Sequence, residues 1–349
     1  MDWARGVAAL AMIEGHATHG WASAAAKQTV AYDWTRVVAT SPLPAFMLLA
    51  GMALRLRVGA AEVRGERPEA VRASIARRGL MVVLWGYAAS ALYAAIDGHQ
   101  GLKTFLRADV LHVIGLSIGV LPLLCIPRAL PVDAAAVTRR ALGLSLAVML
   151  LAPLYYALVP APGGALRYLL APLVRVPEVT LFPLLPMLAW TTVGFVVCDV
   201  IERARKRFSR DAVYAGAGLA ALAVAFVCEG ITRAMLGADG VLDDVHPAGI
   251  PNMIGYAARG LVLIGVGPLI VARLPELGRD AMTRLGRASL IAYVFHIPFC
   301  YGLPARPLRG NLQMHETIPY VLLLWAVSYG VVWAIELARA PRRAPTRSA

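Results

Sequence analysis

Near its start the chain places a guanidinium, Arg5, at the head of an apolar stretch from Val7 to about Trp21, and a carboxyl and two imidazoles, Glu14, His16 and His19, in its second half. Ionisable side chains at membrane depth are costly, so they are read first as lining a site or a water-filled cavity. Arg5 and His16 are eleven residues apart. At ~100° per residue a helix returns to within about 20° of the same face over that interval, roughly 16 Å along its axis. A cation at one end of the helix and a titratable imidazole along the same stripe could hold the two ends of a long anionic ligand. Glu14 lies about 200° from His16 on the helical wheel, so it cannot orient the imidazole from within this helix.

The elements that must position these groups are membrane helices. The chain has 349 residues, is 59% hydrophobic and has a mean hydropathy of +0.64, against ~45–50% apolar in average soluble chains. Several apolar runs reach the ~17–25 residues of a spanning helix, and none shows the alternating segments of ~10 residues of a membrane β-barrel. The fold class expected is an all-α polytopic membrane protein with about ten spans: 4–23, 38–56, 79–98, 108–126, 141–160, 179–200, 212–235, 252–272, 286–303 and 317–337. No Ser/Gly linker, composition shift or internal repeat divides it, so residues 1–349 read as one domain. The first segment lacks a basic n-region and its charges spoil an h-region, so it is expected to be retained rather than cleaved.

Loop charge orients the spans. With both termini cytoplasmic, the inner segments 55–78, 127–140, 202–211, 273–285 and 338–349 hold 22 of the 34 Lys and Arg residues. The outer loops hold eight: Lys27, Arg36, Lys103, Arg107, Arg167, Arg175, Arg306 and Arg309. This asymmetry explains the net charge of +13 through membrane topology and anionic lipid, not nucleic acid. Cys125, Cys198, Cys228 and Cys300 form no CxxC or Cys/His cluster. They read as buried small hydrophobes, and no metal site is expected.

Several ordered landmarks carry a family resemblance. Asp2-x-x-Arg5-Gly6 with Met12 and His16, at an Arg-x10-His spacing, resembles the first-helix signature of the transmembrane acyltransferase superfamily. That group includes the acyltransferase-3 proteins and the heparan-α-glucosaminide N-acetyltransferase-like proteins. Phe46–Gly51, Asp109–Gly115, Phe182–Pro186 and Leu285–Leu290 continuing through Tyr293 to His296 are similar to further family segments. Together they look closest to the bacterial heparan-α-glucosaminide N-acetyltransferase-like branch. The signature here begins at residue 2, whereas members carry a short cytoplasmic lead, which implies a shortened start. In the eukaryotic sugar acetyltransferase the position matching His16 is asparagine and a loop histidine follows; residues 22–40 here contain no histidine. His16 must therefore take the role it has in acyltransferase-3 relatives.

The resemblance implies transfer of an acyl group, commonly acetyl, from cytoplasmic acyl-CoA to a hydroxyl or amine of a sugar, glycolipid or other small molecule on the envelope side, in a bacterial inner membrane. His16 would act as general base or as a covalent acyl carrier. Arg5, with Arg77 and Arg78, would grip the CoA phosphates; the alternative for each is a topology-setting or lipid-facing charge. Asp109 and His112, at i and i+3, would orient the acceptor or cap a helix. Ser289, Tyr293 and His296 share a face and would line the acceptor side or bond between helices. Glu229 and Arg233 read as a structural pair. Arg259 calls for a carboxylate such as Glu14. Asp199 and Glu202 read as interfacial, Arg55 as a topology determinant, and His246 as loop chemistry. A homodimer is left open. The rival reading is a proton-coupled secondary transporter or flippase, in which the embedded histidines and carboxylates relay protons.

Overall fold

Apolar runs punctuated by proline and capping residues form thirteen α-helices among the described residues. They are α1 (Asp2–Trp21), α2 (Val30–Ala39), α3 (Pro42–Val63), α4 (Pro68–Asp97), α5 (Val110–Cys125), α6 (Ala134–Leu158), α7 (Leu166–Leu170), α8 (Leu184–Ala204), α9 (Arg210–Leu236), α10 (Ile250–Val271), α11 (Glu276–Arg287), α12 (Ser289–Tyr301) and α13 (Met314–Arg339). The computed structural model describes residues 1–97, 105–128, 130–176, 179–236 and 249–339. Lys103, His246, the loop stretch 237–248 and the tail arginines Arg342, Arg343 and Arg347 lie outside the described residues.

The starts of these helices follow from local chemistry. The Thr29 hydroxyl accepts the Tyr32 amide ahead of α2, and Pro42 occupies the first turn of α3, where its missing N–H leaves no bond unmade. Asp133 caps α6 by accepting the Ala135 and Ala136 amides at 2.8 and 3.0 Å. Those amides, Ala136 first, hold its carboxyl below the usual carboxylate range.

Six stretches are long and apolar enough to cross a bilayer: Val30–Val63, which holds α2 and α3, and helices α6, α8, α9, α10 and α13. Helices α5 and α12 are apolar but shorter. Helix α1 carries Asp2, Arg5 and Glu14, and α4 carries Glu69, Arg72, Arg77 and Arg78 in its first half, so length alone does not give either the hydropathy of a span. The protein is thus an all-α membrane protein. The expected span 38–56 is displaced to α3 by a separate amphipathic helix, α2. The expected span 286–303 is a shorter helix, α12, preceded by the strongly amphipathic α11.

Helix α1 is the central pillar, packed by α2, α3, α10, α11, α12 and α13. Its Ala- and Gly-rich surface lets neighbouring backbones approach closely, the packing mode that replaces hydrophobic drive inside a membrane. Gly6 lies on the Met282 carbonyl of α11, and Gly20 on the Cys300 carbonyl of α12. The Trp21 indole N–H donates to the Phe299 carbonyl at 3.0 Å, and the Trp325 indole N–H donates to the Leu10 carbonyl at 3.0 Å. These bonds fix the register of α1 against α12 and α13. Helix α8 is the most enclosed of the six candidates, with 72% of its apolar window buried, whereas α9 and α13 are each 22% buried and turn leucine and valine faces outward to lipid.

Helices α3 and α8 meet backbone to backbone at Gly51 and Gly194. A side chain at Gly194 would overlap the Leu48 carbonyl, whereas Gly216 on α9 faces open space. Gly194→Leu is therefore expected to destabilise the protein by about 1–3 kcal/mol, and Gly216→Leu to leave it unchanged. Thermal unfolding of the solubilised protein checks this; equal midpoints for the two variants would refute the backbone contact.

One charge assignment differs from expectation, and another gains partners that the sequence did not show. Arg259 pairs with Glu229 at 3.0 Å, not with Glu14, and Glu229 also accepts from Arg233 at 2.6 Å. The adjacent helices α9 and α10 bring that carboxylate alongside, while Glu14 accepts from Thr18 one turn along α1. Asp199 lies near the end of α8 and is enclosed by the protein. It is 3% exposed, held between Arg55 at 2.5 Å and Arg203 at 2.7 Å, so Arg55 ties α3 to α8 in addition to any effect on topology.

Candidate active site

His16 lines a cavity of about 710 Å³ bounded by α1, α3, α4, α10 and α12 and by the segments leading into α5 and α8. The cavity has a mostly apolar wall that includes Met12, Phe46, Phe182, Trp190 and Ile297. The Trp190 indole N–H donates to the Met253 carbonyl at 2.9 Å and holds that wall in place. Polar groups converge from several elements: His16 and His19 from α1, Tyr93 from α4, Asp109 ahead of α5, Tyr293 and Tyr301 from α12. Size and lining are those of a small-molecule site.

The state of His16 follows from its partner. Its Nδ1 lies 2.8 Å from Nε2 of His296, with the rings tilted by only 11°. His296 is fully buried, and its own Nδ1 lies 2.9 Å from the Ala292 carbonyl. A carbonyl oxygen only accepts, so His296 carries its proton on Nδ1 and a lone pair on Nε2. That lone pair accepts from His16, which must carry its proton on Nδ1. His16 Nε2 is left as a lone-pair nitrogen that no group among the described residues engages, on a side chain that lines the cavity. A histidine presented this way can take a proton from a bound nucleophile, and His296 holds the tautomer that lets it.

Asp109 has two tasks. It caps α5 by accepting the Val110 amide at 2.6 Å, and the Tyr293 hydroxyl donates to its other oxygen. The bond joins α5 to α12 across the cavity wall, next to the His296 ring, which meets Tyr293 edge-on at 5.9 Å. Tyr293→Phe is expected to lower turnover about tenfold with little loss of stability, because one buried hydrogen bond is worth ~1 kcal/mol or somewhat more when the acceptor is charged. Steady-state kinetics alongside a melting curve would check this; unaltered turnover would make Tyr293 a spectator.

The remaining sequence candidates separate from this cavity. His112 completes the α5 capping box, its Nδ1 accepting the Asp109 amide at 3.1 Å, and its buried ring packs against Tyr87. Ser289 opens α12 and does not line the cavity. Arg5 does not line it either; its guanidinium pairs with Asp2 at 2.9 Å, one turn away. At Gly6 the backbone of α11 closes on α1, and Met12 forms the cavity wall one turn from His16 on Arg5's side. Arg77 and Arg78 are exposed on α4, with Arg78 near enough to Arg5 for their charges to interact.

Sequence reasoning did not single out Tyr93, Tyr301, Arg107 or Arg309 as site residues, yet all four line the cavity. Tyr301 sets its ring edge-on to His16 at 5.8 Å and to His19 at 6.4 Å. The available signal was the continuation of the Tyr293–Ile297–Tyr301 face along α12.

Comparison with protein families adds an independent observation. The model of the acyltransferase-3 family, described as an acyltransferase domain, matches residues 1–337. Comparison with curated proteins finds no match.

Proposed function

Because the chain belongs to the acyltransferase-3 family, we propose that this membrane acyltransferase moves an acyl group, acetyl in the simplest case, from cytoplasmic acyl-CoA to a hydroxyl or amine of a sugar, glycolipid or similar acceptor on the outer side of a bacterial inner membrane. The observation that carries this reading is the His16–His296 pair, which leaves Nε2 unprotonated on a residue that lines a cavity large enough for a small acceptor. The acceptor enters that cavity and sets its nucleophile at Nε2. As the nucleophile attacks the thioester carbonyl, its proton passes to Nε2. Collapse of the tetrahedral intermediate breaks the C–S bond, and the imidazolium returns the proton to the departing CoA sulfur. The acylated acceptor and free CoA are the products, and His16 ends neutral.

The donor enters from the opposite end of α1. Arg5, Arg77 and Arg78 make that end basic, which suits the CoA phosphates. The pantetheine arm then runs along α1 past Met12 to bring the thioester to His16, and this passage requires the helices around Gly6–Met12 to part. Membranes containing the protein, given acetyl-labelled acetyl-CoA, are expected to move label into a sugar or lipid fraction with one CoA thiol released per acetyl. Substrate flux across the membrane without CoA thiol release would favour the transporter reading instead.

A further inference from the structure

The outer part of the cavity holds two arginines that the acyl-transfer chemistry does not use. Arg107 comes from the segment leading into α5, and Arg309 from the connection between α12 and α13. Distant in sequence, they converge on one space, and both guanidiniums lie close enough to act electrostatically on the Tyr301 hydroxyl. Arg309 makes one long hydrogen bond, 3.4 Å, to the Tyr301 carbonyl. Neither arginine forms an ion pair among the described residues. The one carboxylate in the lining among the described residues, Asp109, is occupied by the α5 amide and the Tyr293 hydroxyl. The cavity therefore combines an apolar wall, an imidazole with an unprotonated nitrogen and, at its exposed rim, two guanidiniums that no carboxylate among the described residues pairs. Outer loops carry few arginines under the orientation set by loop charge, so two facing one cavity need a reason beyond topology.

We propose that Arg107 and Arg309 form an anion subsite that holds a phosphate or carboxylate of the acceptor while its hydroxyl or amine lies at His16 Nε2. Guanidinium forks match such groups in geometry as well as charge. This rests on the acyl-acceptor reading of the cavity and narrows the acceptor to an anionic one, either a soluble phosphorylated or acidic sugar or the headgroup of an anionic lipid.

The test uses the full chain in nanodiscs of phosphatidylcholine, with labelled inorganic phosphate as probe in equilibrium dialysis and native mass spectrometry to count retained lipids. Saturable phosphate binding is expected, at least tenfold weaker in Arg107→Gln and in Arg309→Gln. It should be unchanged in Arg306→Gln, an exposed neighbour outside the cavity, and in His16→Ala. Displacement of phosphate by glucose 6-phosphate points to a soluble acceptor. An anionic phospholipid retained by the native chain and lost from both cavity variants points to a lipid headgroup. Absence of both phosphate binding and retained anionic lipid, or binding indifferent to the two cavity substitutions, overturns the subsite. If acyl transfer still depends on His16 in that case, the catalytic reading stands; if phosphate binds but no acyl transfer occurs, the subsite stands without it. Melting curves of each variant confirm that the fold is intact.

Discussion

Replacing His16 with alanine is expected to lower acyl transfer about a thousandfold while leaving the protein folded. General-base assistance contributes ~10²–10⁴-fold, and among the described residues the other imidazole that lines the cavity is His19. His19 is one turn away, and its Nδ1 lies 2.9 Å from the Tyr32 hydroxyl. The fold has little reason to fail, because the α1 register rests on Gly6, Gly20, Trp21 and Trp325 rather than on the imidazole. The vacated space adjoins the 710 Å³ cavity, so added imidazole is expected to restore part of the rate. A single-turnover reaction without acceptor separates the two roles open to His16: label retained on the native protein marks an acyl-histidine, and its absence marks a general base. Transfer undiminished in His16→Ala at normal expression would remove the assignment altogether.

His296→Leu should follow at about a hundredfold, through a different parameter. His296 lies behind His16 and does not line the cavity, so it is a positioning residue. Leucine removes the acceptor that holds the His16 proton on Nδ1. The Nε2–H tautomer then competes, and the imidazolium formed during reaction loses its partner. The loss should fall on kcat, with KM for acyl-CoA little changed. His296→Asn, whose amide oxygen can accept the same proton, should recover part of the rate. Equal losses in both variants, or a loss in KM alone, would point to packing rather than tautomer control.

Much of this arrangement was legible in the sequence, and the parts that were not share a cause. Helix periodicity exposed the stripe carrying His16 and the face carrying Tyr293 and His296, because both are local properties of one helix. It could not show that His296 faces His16, a contact across 280 positions. The same limit hid the Arg259–Glu229 and Arg55–Asp199 pairs, which join different helices. Arg5 is the instructive case. A stripe gives direction along a helix, but whether space is open along it depends on neighbours, and α11 seats its backbone on Gly6. Arg107 and Arg309 read as ordinary loop charges until the fold brought them to one cavity. The landmark motifs, by contrast, extended over the chain in order, and the family match covers the same range.

Histidine-labelled protein in lipid bilayers, observed by nitrogen-15 solid-state NMR with His16→Ala to assign the signal, tests the central claim most directly. The account predicts that His16 is protonated on Nδ1 and bare on Nε2, and that its Nδ1 proton is shared with His296. A His16 signal from the tautomer protonated on Nε2, unchanged by His296→Leu, would contradict it.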